Sequence, residues 1–171
     1  YPYCWKECEV LDNGPLRFTA KLVYNPLVIK GDSNVVETRV ISLDKGSQLN
    51  KTVISYTDLK EVTPIVAGIV IHKENPTGYS FDSNAGYIAY ADSTQNPRNN
   101  NGVIYVGAVF PASLNAAKAQ LFPEAERKEH GGALGHVLGI SDYEPGTEYV
   151  YYWGSGWSKY GFAADTEWTK Y

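Results

Sequence analysis

The chain has 171 residues, 43% of them hydrophobic and 20% charged, which is the make-up of an ordinary folded domain with enough length for one core. A net charge of −4 excludes the basic footprint that nucleic acid requires, so no nucleic-acid partner is expected. No apolar run approaches the ~20 residues of a membrane span.

The first segment, YPYCWKECEV, holds the only cysteines, Cys4 and Cys8. In a strand their Cα atoms lie roughly 13 Å apart, too far for a disulfide, so two free structural thiols are expected. Next, Pro15 to Tyr24 sets Phe18, Ala20, Leu22 and Tyr24 against Arg17, Thr19 and Lys21, the alternation of a half-buried strand. In VVETRVISL, the residues Val35, Glu37, Arg39, Ile41 and Leu43 share one face. Lys45-Gly46 turns this strand into a hairpin partner at Gln48–Tyr56.

Ile65 to Ile71 (IVAGIVI) is a continuous β-branched run, which predicts a strand buried on both faces. GYIAYA and GVIYVGAVF follow as strands, separated by the polar surface loop DSTQNPRNNN. Ala112 to Gln120 (ASLNAAKAQ) predicts the one internal helix, with Pro111 at its first turn. Asp165 reads as the N-cap of a short terminal helix, TEWTKY. The pattern predicts an all-β fold, an antiparallel β-sandwich with one or two short helices, forming a single domain over residues 1–171.

The run from Leu138 to Phe162 is the richest in information. It contains five tyrosines, two tryptophans and one phenylalanine, interleaved with Asp142, Glu144, Glu148 and Lys159. A dry core favours Leu, Ile and Val. Tyr and Trp instead offer a flat apolar face with a hydrogen-bonding tip, which suits the C–H faces and hydroxyl edges of sugars. An aromatic-rich sheet packed on its neighbours is the plain alternative, and a protein-binding surface is a third.

EHGGALGHVLGISDY invites comparison with the zinc-protease pattern H-E-x-x-H-x-x-G-x-x-H/D. His136, Gly139 and Asp142 fit its second half, but the first histidine and the glutamate base are replaced by Gly132 and Ala133. His130 cannot stand in from a helix face, so no metal and no cofactor is expected, with a noncanonical site of His130, His136 and Asp142 as the alternative. The other histidine, His72, ends the IVAGIVI strand beside Lys73 and Glu74, where a rigid sheet opens into a polar loop. For a β-elimination the candidate base is His72 or His136, the carboxylate-neutralising cation Lys73 and the acid Tyr143. Glu74, Asp142, Glu144, Tyr152, Trp153, Trp157 and Lys159 are the candidate substrate contacts. Paired carboxylates for a glycosidase would come from Asp142 with Glu144, or Glu74 with Glu144.

The strings ISLDKGSQLNK, GIVIHKENPTGYSFD, GYIAYAD, NNNGVIYVGAVFP, GHVLGISDYEPG and YYWGSGWSKYGF resemble a bacterial domain family of unassigned function. The resemblance covers nearly the whole chain except EAERKEHGGAL. It implies a sandwich of the mutarotase-like (supersandwich) kind and a periplasmic or extracellular protein that accompanies polysaccharide-utilisation systems. It also implies that members are longer and that this chain matches their C-terminal part, in keeping with a start at Tyr1 rather than Met. The leading expectation is a lyase or glycoside hydrolase acting on uronic-acid-containing polysaccharide. The alternatives are a non-catalytic carbohydrate-binding module or a protein-interaction domain.

Overall fold

The computed structural model describes residues 4–93, 97–112 and 114–171. Thr94–Asn96 of the expected polar loop and Ser113 of the expected helix lie outside the described residues. The fold is all-β and antiparallel, with two sheets in a sandwich-like arrangement. The chain divides into two compact units, Tyr1–Ile65 with Asp142–Tyr152, and Val66–Ser141 with Trp153–Tyr171. Among the described residues no helix is long and apolar enough to cross a membrane.

The first unit is a meander of β1 (Trp5–Asn13), β2 (Arg17–Tyr24), β4 (Asp32–Asp44) and β5 (Leu49–Thr57), in that order, with short β3 (Leu27–Ile29) beside β4. The start of β12 (Tyr149–Trp157) joins β5. β2 forms where expected, but its burial does not alternate: Phe18 is exposed and Thr19 of the expected outer face is buried. Register still pairs the expected faces, with Leu22 and Ile54 both opposite Arg39 and Tyr56 opposite Glu37. The Lys45-Gly46 turn forms as expected, with the Ser47 N–H donating to the Asp44 carbonyl at 3.0 Å and Gly46 at φ +86°. Cys4 and Cys8 are free and exposed, as their spacing required.

The second unit carries most of β6 (Thr63–Ile71) and β11 (Gly135–Tyr143), with β7 (Tyr79–Asp82), β8 (Tyr87–Ser93), β9 (Val103–Val109), β10 (Ala116–Leu121) and α1 (Asp165–Trp168). One sheet segment runs from the end of β12 through β9 and β8 to β7, and the other is β10-β11-β6. Ile71, Ile88, Tyr90, Tyr105, Phe110, Val137 and Trp168 form its core. Gly139 lets the Phe110 ring lie against β11, where a Cβ would come within 2.8 Å of the ring.

Three further expectations are corrected. The Ala-rich segment expected to be a helix is strand β10, pairing Ala117 with Gly139 and Lys118 with Leu138. Tertiary pairing outweighs the few tenths of a kcal/mol per residue by which Ala favours helix. β6 is not buried on both faces: its exposure alternates, and Val66 is 51% exposed. The terminal helix forms, but Ala164 is its cap and Asp165 its first residue.

Candidate functional site

β6 delivers His72 to a turn that the second unit holds on several sides. The buried Tyr90 hydroxyl of β8 accepts the His72 N–H at 3.0 Å and donates to the Asn75 carbonyl at 3.0 Å. The Asn75 side chain donates to the Ala91 carbonyl at 2.8 Å, and the Ala91 N–H to the Gly78 carbonyl at 2.8 Å. Burial, the largest influence, pushes the Tyr90 phenol up, so it stays protonated as a donor.

On this frame the His72 Nδ1 lies 3.0 Å from both carboxylate oxygens of Asp92, also on β8. A carboxylate only accepts, so the neutral imidazole carries its proton on Nδ1 and its lone pair on Nε2. His72 is part-exposed, and Lys73 and Glu74 beside it are exposed. The arrangement is an oriented base with a reachable nitrogen. Sequence reasoning found His72 but missed Asp92, which lies twenty positions away and becomes a partner only through the fold.

The other predicted residues fall into separate groups. His136, half-buried on β11, is edge-on to Phe122 at 5.2 Å, and His130 stacks on that same ring at 3.8 Å. Burial first, and the nearby His130 second, push the His136 imidazole below its ordinary value. Among the described residues no three His, Cys, Asp or Glu side chains are placed to hold a metal ion.

On β12, Trp153, Ser155 and Trp157 point outward while Gly154 and Gly156 are buried. The two indoles are 39% and 42% exposed, on Cα atoms that the strand rise sets roughly 13 Å apart along one face. Trp157 Nε1 donates to the Asn101 carbonyl at 2.8 Å, and Lys159 Nζ donates to the Asn100 carbonyl.

In the first unit, Tyr143 is buried with its ring edge-on to Tyr56, at 4.8 Å. Its hydroxyl donates to the Thr147 carbonyl at 2.6 Å and accepts the Tyr56 N–H at 3.1 Å. That hydroxyl serves the backbone rather than a substrate. Asp142 and Glu144 are exposed and Tyr152 is half-buried. The Glu144 carbonyl accepts the Thr147 N–H and hydroxyl, closing a turn.

The same unit holds a cluster that the sequence reading passed over. Glu37 is 2% exposed, yet it accepts hydrogen bonds from Arg39 Nε and, at 2.8 Å, from the Tyr56 hydroxyl. The Arg39 guanidinium lies over the Tyr24 ring at 5.1 Å. Burial works against the Arg39 charge, but the charge and hydrogen bond of Glu37 outweigh it and hold its pKa above the usual value. The signal was visible: Glu37 and Arg39 interrupt an otherwise apolar strand face.

Fold and site together define an all-β sandwich-like protein with a histidine–carboxylate pair at a strand end. The chain belongs to the family described as a domain of unknown function (DUF4861), matched over residues 1–171. No curated protein and no solved structure matches it.

Proposed function

We propose that the protein is a carbohydrate-active enzyme that cleaves uronic-acid-containing polysaccharide by β-elimination. The observation that supports it is the His72–Asp92 pair, with Nδ1 fixed on the carboxylate at 3.0 Å and Nε2 left as a base. In the reaction Nε2 takes the C5 proton, which is acidic because it lies α to the uronate carboxylate. The C4–O4 bond breaks as the C4=C5 double bond forms, and the departing oxygen takes up a proton from water. Lys73, adjacent in the chain, is the cation for the substrate carboxylate. Hydrolysis fits less well, since it needs two carboxylates at a set spacing, whereas His72 offers an imidazole. The reading carries with it a periplasmic or extracellular location, where such polymers are met.

The test is to incubate the protein with oligosaccharides of galacturonic, guluronic and mannuronic acid and follow the ultraviolet absorbance of the unsaturated uronate. Turnover that falls about 10²–10⁴-fold in His72→Ala supports the reading. Reducing-end release without new absorbance would replace it with a hydrolase.

A second reading is a non-catalytic carbohydrate-binding module, favoured by Trp153 and Trp157 on one outward face of β12. Binding without turnover, lost in Trp157→Ala, selects it.

A further inference from the structure

We propose that Arg39 is the carboxylate-recognising residue of a binding site for uronic-acid sugars on the β2-β4-β5-β12 face of the first unit. The assignment rests on the acidic-glycan reading for the kind of ligand, and does not rest on proton transfer at His72.

A charged pair sits on this face among apolar and hydroxyl-bearing side chains, Thr52 being buried there too. Leu22, Ile54 and Val35 surround the point where Glu37 and Arg39 follow one another two residues apart on β4. Taking two charges out of water costs more than a lone pair usually returns, and hydrophobic residues of similar size commonly stabilise a fold as well or better. Stability alone therefore does not account for charges here. What the pair does supply is orientation. Glu37 holds Nε, and the Tyr24 ring lies under the guanidinium, so a flexible side chain is confined before any ligand arrives.

Arg39 also remains reachable, its side chain 26% exposed against 2% for Glu37. The inner member of the pair is sealed and the outer one meets solvent. A guanidinium bound through Nε still has the edge formed by its two terminal nitrogens, whose fork matches a planar carboxylate.

The surroundings specify a sugar rather than a bare anion. Tyr24, Tyr56 and Tyr151 are half-buried around Arg39. Burial, ahead of the charge of Glu37, raises the Tyr56 phenol; burial also raises Tyr151, so both stay protonated. Flat rings suit the C–H face of a pyranose, and the Tyr56 oxygen, whose proton goes to Glu37, is an acceptor for a sugar hydroxyl. One cation among three such rings matches one carboxylate per sugar.

The test uses a galacturonic acid trisaccharide, the neutral galactose trisaccharide and a sulfated galactose trisaccharide, each titrated calorimetrically. Arg39→Lys keeps the charge and loses the fork; galacturonate binding is expected to weaken at least tenfold, with the weak neutral binding unchanged. The double variant Glu37→Leu, Arg39→Leu leaves net charge unchanged and removes the pair; loss of galacturonate binding in a folded double variant supports the site, and wild-type binding overturns it. On the unaltered protein, the Arg39 Nε–H resonance is expected to shift with galacturonate and not with galactose, and no shift overturns the proposal. Equal affinity for the sulfated sugar overturns the carboxylate assignment. In His72→Ala protein, where turnover is lost, galacturonate is still expected to shift the Arg39 Nε–H resonance. Turnover without an Arg39 response overturns this site and leaves the His72 chemistry standing.

Discussion

The Tyr90 hydroxyl receives the His72 backbone N–H at 3.0 Å, tying a buried core ring to the residue that emerges from the end of β6. The same hydroxyl donates to the Asn75 carbonyl, so one oxygen closes both ends of the turn. Tyr90→Phe keeps the ring and removes both bonds, leaving a donor and an acceptor without this partner. Stability is expected to fall by about 1–3 kcal/mol, read from urea unfolding, with faster amide exchange at His72. An unchanged midpoint and unchanged exchange would show that the turn holds itself.

Gly78 is required by close approach. A Cβ there would sit 2.1 Å from Asn75 Nδ2 and 2.9 Å from the Ala91 carbonyl oxygen. Gly78→Ala is expected to displace the Asn75 amide from Ala91 and cost about 1–3 kcal/mol, as overpacking does. Because the clash and the lost bond share Asn75, Gly78→Ala with Asn75→Ala should cost less than the two single changes added. Strict additivity in thermal melts would refute that coupling.

Much of the fold was legible because alternation is local. Phe18, Ala20 and Leu22, or Val35 and Glu37, announce a strand face within a few residues. β10 was not legible, since AAKAQ carries helix propensity and its pairing partner β11 lies across a glycine-rich loop. The site divides in the same way. His72 stood out as a polar residue ending an apolar run, whereas Asp92 looked like any strand-end carboxylate until β8 brought it to Nδ1. Glu37 and Arg39 are legible as members of a shared face, but the reason for charges there includes the Tyr56 hydroxyl that the neighbouring strand brings to Glu37. Tyr143 attracted attention as an aromatic near carboxylates, and its burial came from packing that no short window encodes.

Thr19 is buried on β2, and its Oγ1 has no hydrogen-bond partner among the described residues. A hydroxyl withdrawn from water without a partner costs about 1–3 kcal/mol. Thr19→Val replaces it with a methyl group of nearly the same shape and keeps the β-branching that suits a strand. The variant is expected to be more stable by about 1 kcal/mol in urea unfolding. A loss of stability would mean that the hydroxyl has a partner in solution.

His136 makes the stability of the second unit depend on pH. Its folded pKa lies below the ordinary 6.5, chiefly through burial and then through His130. The unfolded chain therefore takes up the proton first as pH falls, and stability depends on pH with the sign of that difference. Above pH 6.5 the contribution is fully present; it is lost as pH drops from there through the lowered folded value, and then levels off. His136→Gln is expected to flatten this slope in melts recorded on either side of pH 6.5. The ring resonances of wild-type His136 should titrate below those of a histidine in an unfolded peptide. A His136 that titrates at the ordinary value would leave no such dependence, and one that titrates above it would reverse the sign.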